Sequence, residues 1–306
     1  MKRIPKNIGL SIRNQLTQRA REHRENVQLL MTRYAIERVL YRLSVSRHRE
    51  RFILKGAMLF SLWAPAPYRA TGELDLLGLG DNAPEAVAVV FAEILAISAE
   101  EDGVVFKLET LRASAARLED EYSGLRLDFI AEIGGARLPI RVDIGYGDAI
   151  TPGPIEVEYP TLLAQSTPRL RAYPPETVVA EKFQAMVQLG MINTRMKDFF
   201  DLWAIAGAFA FDGAVLARAI QTTFERRETS LPVAVPAALT MAFAEMKQVQ
   251  WSAFLKRTEI ALAPAPMPEV QTRISELVMP PTLAIVEHTS FTAHWPAGGP
   301  WRGIGL

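Results

Sequence analysis

The chain carries Leu54-Lys55-Gly56-Ala57 and, a short distance further on, Gly72-Glu73-Leu74-Asp75-Leu76. The second stretch alternates polar and apolar residues, a period of two that predicts a β-strand with one buried face. Glu73 and Asp75 then point to the same side, about 6.6 Å apart along the strand. The first stretch indicates a strand that ends in a glycine turn before a short helix. Together the two stretches predict a mixed α/β core.

Periodicity elsewhere predicts helices on both sides of this core. Apolar residues recur at helical spacing in three segments: 10–43, 177–189 and 194–208. Strand patterns occupy three others: 103–112, 122–132 and 138–144, the last two joined by a turn at Gly134-Gly135. The predicted class is therefore α+β, a mixed sheet flanked by N-terminal and C-terminal helical segments.

Shifts in composition predict four segments along the chain. They are a basic helical segment (1–50), the core with the sheet (51–160), a helical domain (161–262) and a Pro/Gly-rich tail (263–306). A Pro-rich connector, 152–175, leads from the core into the helices. Because Pro and Gly disfavour regular structure, the tail is expected to be extended or partly disordered.

Composition narrows the class of protein. The 306 residues are 49% hydrophobic, enough for one large or two modest cores. The absence of cysteine excludes disulfides, thiolate metal sites and a cysteine nucleophile, and is typical of a reducing compartment. No apolar run approaches the ~18 residues of a membrane span, and the charged start lacks the apolar core of a leader peptide. We therefore expect a cytoplasmic protein with no membrane partner.

Charge is distributed unevenly, although the formal net charge is zero. Residues 1–55 hold fourteen Lys or Arg and four Asp or Glu, a net charge of +10. This basic head can lie along a phosphate backbone, since each neutralised phosphate releases counterions. The alternative is a solvated helix face. The position of the excess, just before the acidic strand, favours contact with nucleic acid.

Three carboxylates are the main candidates for chemistry. Asp143 lies in Ile140-Arg141-Val142-Asp143-Ile144, where the alternation directs it away from the core face. Together with Glu73 and Asp75 it can hold Mg²⁺, which prefers oxygen ligands. A metal pair clamps the attacking and leaving oxygens of phosphoryl or nucleotidyl transfer. The alternative is the ordinary alternation of half-buried strands, but a third carboxylate favours the metal site.

The turn at Lys55, Gly56 and Ala57 is a candidate phosphate-binding element. It precedes a predicted helix, so that backbone N–H groups are exposed next to a residue without a side chain. Triphosphate oxygens can approach such a turn closely. A Lys-Gly turn is common, however, and it becomes a candidate here only because the carboxylates follow it.

These motifs resemble those of polymerase-β-like nucleotidyltransferases, which carry an apolar-Gly-[Gly/Ser] turn, then [Asp/Glu]-apolar-[Asp/Glu], and later apolar-[Asp/Glu]-apolar. Gly56, Glu73, Asp75 and Asp143 match that pattern. The sequence is most similar to the AbiEii branch of abortive-infection toxins. Three stretches carry this similarity: Arg69-Ala70-Thr71-Gly72-Glu73-Leu74-Asp75-Leu76-Leu77-Gly78, Ala180-Glu181-Lys182-Phe183-Gln184-Ala185-Met186 and Arg195-Met196-Lys197-Asp198-Phe199-Phe200-Asp201-Leu202.

The resemblance implies roles for residues outside the acidic strand. It assigns Lys182 and Asp198 to the active site, with Asp201 as a weaker candidate, and it adds Arg69 and Thr71 to the candidates for substrate binding. A lysine ammonium can bind triphosphate as a point charge. Two aspartates at i and i+3 share one helix face. The alternative is a structural salt bridge between lysine and aspartate across the helical hairpin.

The resemblance also implies a function. It predicts a polymerase-β-like core and a Mg²⁺-dependent toxin of a toxin-antitoxin system. This toxin would transfer a nucleotide from NTP to an RNA acceptor, with the 3′ end of tRNA expected and an antitoxin protein as partner. One alternative is the same chemistry on a protein or small-molecule hydroxyl. Another is a non-catalytic nucleotide- or RNA-binding module, because Glu73 stands where this branch usually has Asp and Ala57 where the wider pattern has Gly or Ser.

Overall fold

The computed structural model describes residues 7–63, 71–117, 123–258 and 266–303. By its internal contacts the chain divides into two compact units. The first unit comprises Met1–Gly147 and Ile155–Ala172, and the second comprises Asp148–Pro154 and Tyr173–Leu306. No helix in the described ranges is both long enough and apolar enough to cross a membrane.

The first unit has four helices in the described ranges, and the first two begin at capping asparagines. They are α1 (Ile8–His23), α2 (Val27–Val45), α3 (Phe60–Trp63) and α4 (Pro84–Leu95). The side chains of Asn7 and Asn26 accept hydrogen bonds from the backbone N–H groups of Leu10 and Leu29, each 2.9 Å long. These bonds satisfy donors that the first turn of a helix leaves open. The prediction of helix in 10–43 is confirmed, and the segment forms two helices.

One mixed sheet forms the centre of the first unit. Within the described residues it has seven strands: β1 (Phe52–Lys55), β2 (Glu73–Gly78), β3 (Val104–Arg117), β4 (Ser123–Ile133), β5 (Ala136–Tyr146), β6 (Ile155–Glu158) and β7 (Arg169–Ala172). Their order is β3-β4-β5-β2-β1-β7-β6. Strand β2 runs parallel to β5 and antiparallel to β1. The predicted α+β class, mixed sheet and Gly134-Gly135 hairpin are confirmed.

Alternation along β2 and β5 separates a core face from a polar face. Leu74 and Leu76 on β2, and Val142 and Ile144 on β5, are fully buried. The residues between them carry carboxylates or a guanidinium and lie on the opposite face. The burial of the apolar face therefore fixes which side of the sheet presents the charged groups, since a slip of one residue would bury them.

Two strands lie in the segment that was predicted to be a Pro-rich connector. Strand β7 pairs in parallel with β1, and β6 pairs with β7 as the outermost strand of the sheet. The prediction of a plain connector is wrong here. Both strands are only four residues long, and charged side chains alternate in them as is common at sheet edges. Four residues are too few for a period of two to stand out, so the sequence did not predict these strands.

The second unit is mainly helical. It contains α5 (Pro175–Leu189), α6 (Met196–Ala208), α7 (Gly213–Arg226), α8 (Met241–Thr258) and α9 (Met267–Val286), with a small ribbon formed by β8 (Phe211–Asp212) and β9 (His294–Trp295). A short 3-10 helix joins α5 to α6, so that the predicted helical hairpin is confirmed. Both helices bury one apolar face in the core of this unit.

The expectation of an extended or disordered tail is wrong for the residues that the structure describes beyond position 265. Helix α9 occupies twenty of them, although Pro280 and Pro281 lie inside it. Its apolar face is buried, and this packing outweighs the cost of the prolines. The indole N–H groups of Trp295 and Trp301 donate to the carbonyls of Ala206 and Leu277, which ties the following segment to the helices.

Candidate active site

Asp75 and Asp143 are direct neighbours across the pair of parallel strands β2 and β5. Neighbouring strands lie about 4.8 Å apart, so that two carboxylates in register share one small region of the sheet face. Asp143 is 9% exposed and Asp75 is half-buried. The sequence predicted that both point off the sheet, and the register places them side by side.

Gly56 closes this region at the end of β1. Lys55 is the cross-strand neighbour of Asp75, and Gly56 follows with a φ of +73° at the start of a short 3-10 helix. A Cβ atom built on Gly56 would lie 2.1 Å from Oδ2 of Asp75. Only glycine fits here, because a side chain would collide with the carboxylate and this backbone conformation disfavours L-residues. The next residue, Ala57, is buried.

Arg126 on β4 holds Asp143 from the other side. Its Nε and Nη2 atoms donate to Oδ1 and Oδ2 of Asp143, each over 2.8 Å. Two parallel bonds of this kind make the strongest arginine-carboxylate geometry. The hydrogen bond with Asp143 is the main reason why the pKa of Arg126 is raised above its ordinary value. Sequence analysis missed this residue, because cross-strand pairs require the register.

The third acidic candidate, Glu73, lies one residue pair further along the same face. Its cross-strand neighbour is Arg141, whose Nη1 atom is 3.7 Å from Oε1 of Glu73. Arg141 also donates from Nε to Asp128 on β4, over 3.0 Å. Charges thus alternate across the strands, with Glu73 at the more exposed end of the row.

A divalent cation fits part of this arrangement. Among the described residues, no three acidic or histidine side chains converge closely enough to hold an ion by themselves. Asp75 and Asp143 nevertheless supply the oxygen donors that Mg²⁺ takes from one or two carboxylates, while substrate phosphates and water complete its octahedron. The predicted set of three therefore reduces to this pair, with Glu73 as a more distant candidate.

Lys182, Asp198 and Asp201 form a separate cluster within the second unit. The Nζ atom of Lys182 on α5 lies 2.5 Å from Asp198 Oδ1 and 2.9 Å from Asp201 Oδ2, both on α6. Arg195 lies 2.7 Å from the other oxygen of Asp198. Both aspartates are fully buried. The salt bridge across the hairpin, considered as an alternative from the sequence, is present, and a role in substrate binding is compatible with it.

The remaining two candidates flank the acidic strand. Thr71 accepts a hydrogen bond from the backbone N–H of Glu73 through its hydroxyl, over 3.3 Å, at the start of β2. This contact gives Thr71 a structural role in beginning the strand. Arg69 lies outside the described residues, and its role as a substrate-binding residue stays a prediction.

Many arginines of the basic head are bound within the first unit. Arg38 and Arg42 are buried and donate to backbone carbonyls far along the chain, those of Ser166 and Ile97. Arg42 also pairs with Asp102 over 2.6 Å. Other members make similar contacts: Arg13, Arg19, Arg47 and Arg49. Because these arginines bind groups of the protein itself, fewer charges of the basic head are available to nucleic acid than the sequence predicted.

Comparison with known proteins identifies the family. The family described as "Nucleotidyl transferase AbiEii toxin, Type IV TA system" matches residues 38–276. No curated protein shows a significant match. The fold is similar to that of JHP933 from Helicobacter pylori, with a TM-score of 0.51 and 14% identity over 85% of this chain and 95% of that one. A second H. pylori protein, provisionally named a nucleotidyltransferase, has a TM-score of 0.48 and 13% identity over 86% and 99%.

The family match covers well over half of the chain and includes every acidic and basic candidate in β2, β5, α5 and α6. The family implies a nucleotide substrate and an antitoxin partner. This chain thus belongs to the AbiEii family of nucleotidyltransferase toxins from type IV toxin-antitoxin systems.

Proposed function

We propose that this nucleotidyltransferase is Mg²⁺-dependent and transfers a nucleotide from NTP to an RNA acceptor in the cytoplasm, with the 3′ end of tRNA as the expected acceptor. One observation carries the proposal. Asp75 and Asp143 stand in register on adjacent parallel strands. They lie beside Gly56, where any side chain larger than hydrogen would collide with Asp75. The carboxylates suit a cation and the turn suits a triphosphate, and nucleotidyl transfer needs both at one place.

Each residue then has a distinct task in the transfer. Asp75 and Asp143 would hold Mg²⁺, which when bound neutralises charge on the phosphate oxygens. The turn at Lys55 and Gly56 lets the triphosphate approach the backbone. An acceptor hydroxyl gives its proton to water, and its oxygen forms a bond with the α-phosphorus. The bond from that phosphorus to the oxygen that bridges it to the β-phosphorus breaks, and pyrophosphate leaves. Within the second unit, Lys182 is proposed as a binding group for nucleotide charge, with Asp198 and Asp201 fixing the direction of its ammonium group.

The identity of the acceptor is the most specific part of the proposal. Support for RNA comes from the family assignment and from basic residues of the head that remain exposed. Arg21 and Arg24, near the end of α1, are exposed, and no salt bridge joins either of them to an acidic side chain of the described residues. Because contacts with phosphate add affinity whatever the sequence, these two residues suit a first encounter with an RNA backbone. They are few, so we expect most recognition to come from other surfaces.

Label transfer tests the proposal directly. Purified protein is incubated with each labelled NTP, Mg²⁺ and total RNA, and labelled RNA is separated by size. We expect transfer by the native chain and a loss of about a hundredfold to a thousandfold in Asp75→Ala, as is common when a group that stabilises transition-state charge is removed. Asp128→Ala is the matched control, since this carboxylate lies on the same face but outside the pair. Transfer that survives in Asp75→Ala would contradict the metal assignment.

A second candidate function is a binding module without catalysis. It is favoured by two observations: Glu73 is about half exposed beside Arg141, and both oxygens of Asp143 are bound by Arg126. This candidate predicts no label transfer with any nucleotide or metal, although nucleotide still binds. Glu73→Asp separates an attenuated enzyme from a module, because a large gain of transfer in that variant shows that the native glutamate limits the rate.

If transfer occurs only to a protein or a small hydroxylated molecule, the RNA part of the proposal is wrong while the chemistry stands. Replacing Arg21 and Arg24 together by Gln sharpens this distinction. We expect a rise in the KM for RNA that shrinks at high salt, with little change in the KM for NTP. An unchanged KM for RNA would place the RNA contact elsewhere.

A further inference from the structure

Arg126 occupies both oxygens of the carboxylate that is best placed to bind a cation. The pair is made of two parallel hydrogen bonds of equal length, between cross-strand neighbours on β4 and β5. A carboxylate held in this way has little capacity left for a metal ion on the same side. The arginine and a cation at Asp143 therefore compete for the same oxygens.

A second arginine-carboxylate pair nearby shows that the geometry at Asp143 is special. Arg141 makes one hydrogen bond to Asp128 over 3.0 Å and reaches Glu73 only at 3.7 Å. Both partners of that pair are 42–50% exposed, whereas the side chain of Asp143 is only 11% exposed. Water thus screens the pair at Asp128 but much less the pair at Asp143. Arg126 is therefore a strongly held counter-ion of Asp143.

We propose that Arg126 is a positioning residue that holds Asp143 while no cation is bound, and that its release sets the affinity of the site for divalent metal. The inference rests on the metal site of the proposed function, and it adds a competing group that this function does not require. In this proposal, a cation at Asp75 and Asp143 displaces Arg126 from at least one oxygen of Asp143.

The position of Arg126 allows such a release. One third of its side chain is exposed, so that the guanidinium has a path away from the sheet without disturbing the core. A released guanidinium stays within one strand of Asp143 and close to any phosphate that enters with the cation. Arginine suits phosphate because its planar fork donates two parallel hydrogen bonds. The same side chain would thus close the empty site and contact the nucleotide in the filled one.

Two consequences follow for binding of metal alone. Arg126→Gln removes a positive charge and the competitor, so the affinity for a divalent cation should rise roughly tenfold. Arg126→Lys keeps the charge but cannot make the two parallel bonds, so the rise should be smaller, about threefold. A purely structural role for Arg126 predicts the opposite, since a disordered Asp143 would bind metal less well.

Mn²⁺ binding measures this without any transfer reaction. The free Mn²⁺ signal in electron paramagnetic resonance is titrated with the full chain, in the absence of nucleotide. The variants are native, Arg126→Gln, Arg126→Lys and Asp143→Asn. Arg112→Gln is the matched control, because Arg112 is the cross-strand neighbour of Asp128 on the same face and donates to the backbone carbonyls of Glu109 and Leu111. It loses the same charge, and its Kd should change less than twofold.

The outcomes distinguish the inference from the proposed function. Tighter Mn²⁺ binding in Arg126→Gln than in Arg112→Gln supports the inference, even if no label transfer is found. Unchanged or weaker binding in folded Arg126→Gln overturns it, even if transfer is found. Should Arg126→Gln fail to fold, Arg126→Lys decides by the same criterion. If native protein and Asp143→Asn bind Mn²⁺ equally, Asp143 is not a ligand and the inference is wrong.

Discussion

The charged clusters of the two units differ in how far they are removed from water. On the sheet face of the first unit, Glu73 and Arg141 are about half exposed and each is held by a residue of a neighbouring strand. In the helical hairpin of the second unit, Lys182 is 14% exposed and its partners Asp198 and Asp201 are almost completely buried. Glu73 and Arg141 therefore remain hydrated, whereas the cluster in the hairpin is largely removed from water.

This difference in exposure predicts which charged groups are available to a ligand and which ones contribute more to the stability of the fold. A half-exposed carboxylate such as Glu73 can exchange water or a neighbouring arginine for a ligand at low cost, because little of its charge was desolvated on folding. Asp143 on the same face is less exposed and is held more firmly by Arg126. A buried ion pair depends on its partner, and removal of one member leaves an uncompensated charge in a medium of low dielectric constant. We therefore expect the sheet face to control binding and the hairpin cluster to control stability as well.

The largest effect on stability is expected in the hairpin. Asp201→Asn removes one of two carboxylates around Lys182, and the free energy of unfolding should fall by about 3 kcal/mol. On the sheet face, Asp128→Asn removes an exposed partner of Arg141 and should cost less than about 1 kcal/mol. Urea unfolding of both variants, followed by circular dichroism, measures the two changes. Equal losses of unfolding free energy in the two variants would contradict the expected difference between the two clusters.

A buried acid in the first unit tests whether burial, not the choice of unit, causes the difference. Burial raises the pKa of Glu37 to about 7, against the opposing effects of Arg38 and the N–H of Leu162. The folded state therefore retains a proton above pH 4.5 that the unfolded state releases. Stability from this group is greatest below pH 4.5 and falls by up to roughly 3 kcal/mol as the pH rises to 7.

Glu37→Gln should flatten this part of the stability profile. The amide stays neutral at every pH, so that the unfolding free energy between pH 4.5 and 7 should vary less than in the native chain. The check is a series of thermal or urea unfolding curves at half-unit steps of pH. A profile with the same slope in Glu37→Gln would assign the dependence to other groups.

At the glycine turn we expect a modest change in stability and a larger effect on transfer. Gly56→Ala places an L-residue at a φ of +73° and should cost about 1–2 kcal/mol. The new Cβ would displace the Asp75 carboxylate, so label transfer should fall by about a hundredfold, as for other small misplacements of catalytic groups. Gly72→Ala is the control, since its Cβ would meet Leu29 at an ordinary 3.6 Å. A similar loss in both variants would argue against a phosphate-binding role for the turn.

Local patterns in the sequence determined a large part of this structure. The alternation in β2 and β5 placed Glu73, Asp75 and Asp143 off the core face. The helical period found α5 and α6 close to their observed bounds, and it found the segment that contains α1 and α2. These features are local, because each depends on the period with which neighbouring residues face the core. Family motifs added Lys182 and Asp198, which periodicity alone would have read as a salt bridge.

Only the tertiary structure decided which charges meet. The register that pairs Asp75 with Asp143, and Asp143 with Arg126, comes from strands that are far apart along the chain. The same holds for Arg38 and Arg42, whose charges bind distant carbonyls and not an external phosphate. Strand order and register follow from burying all apolar faces of the sheet at once. That requirement involves the whole unit, and no single stretch of sequence contains it.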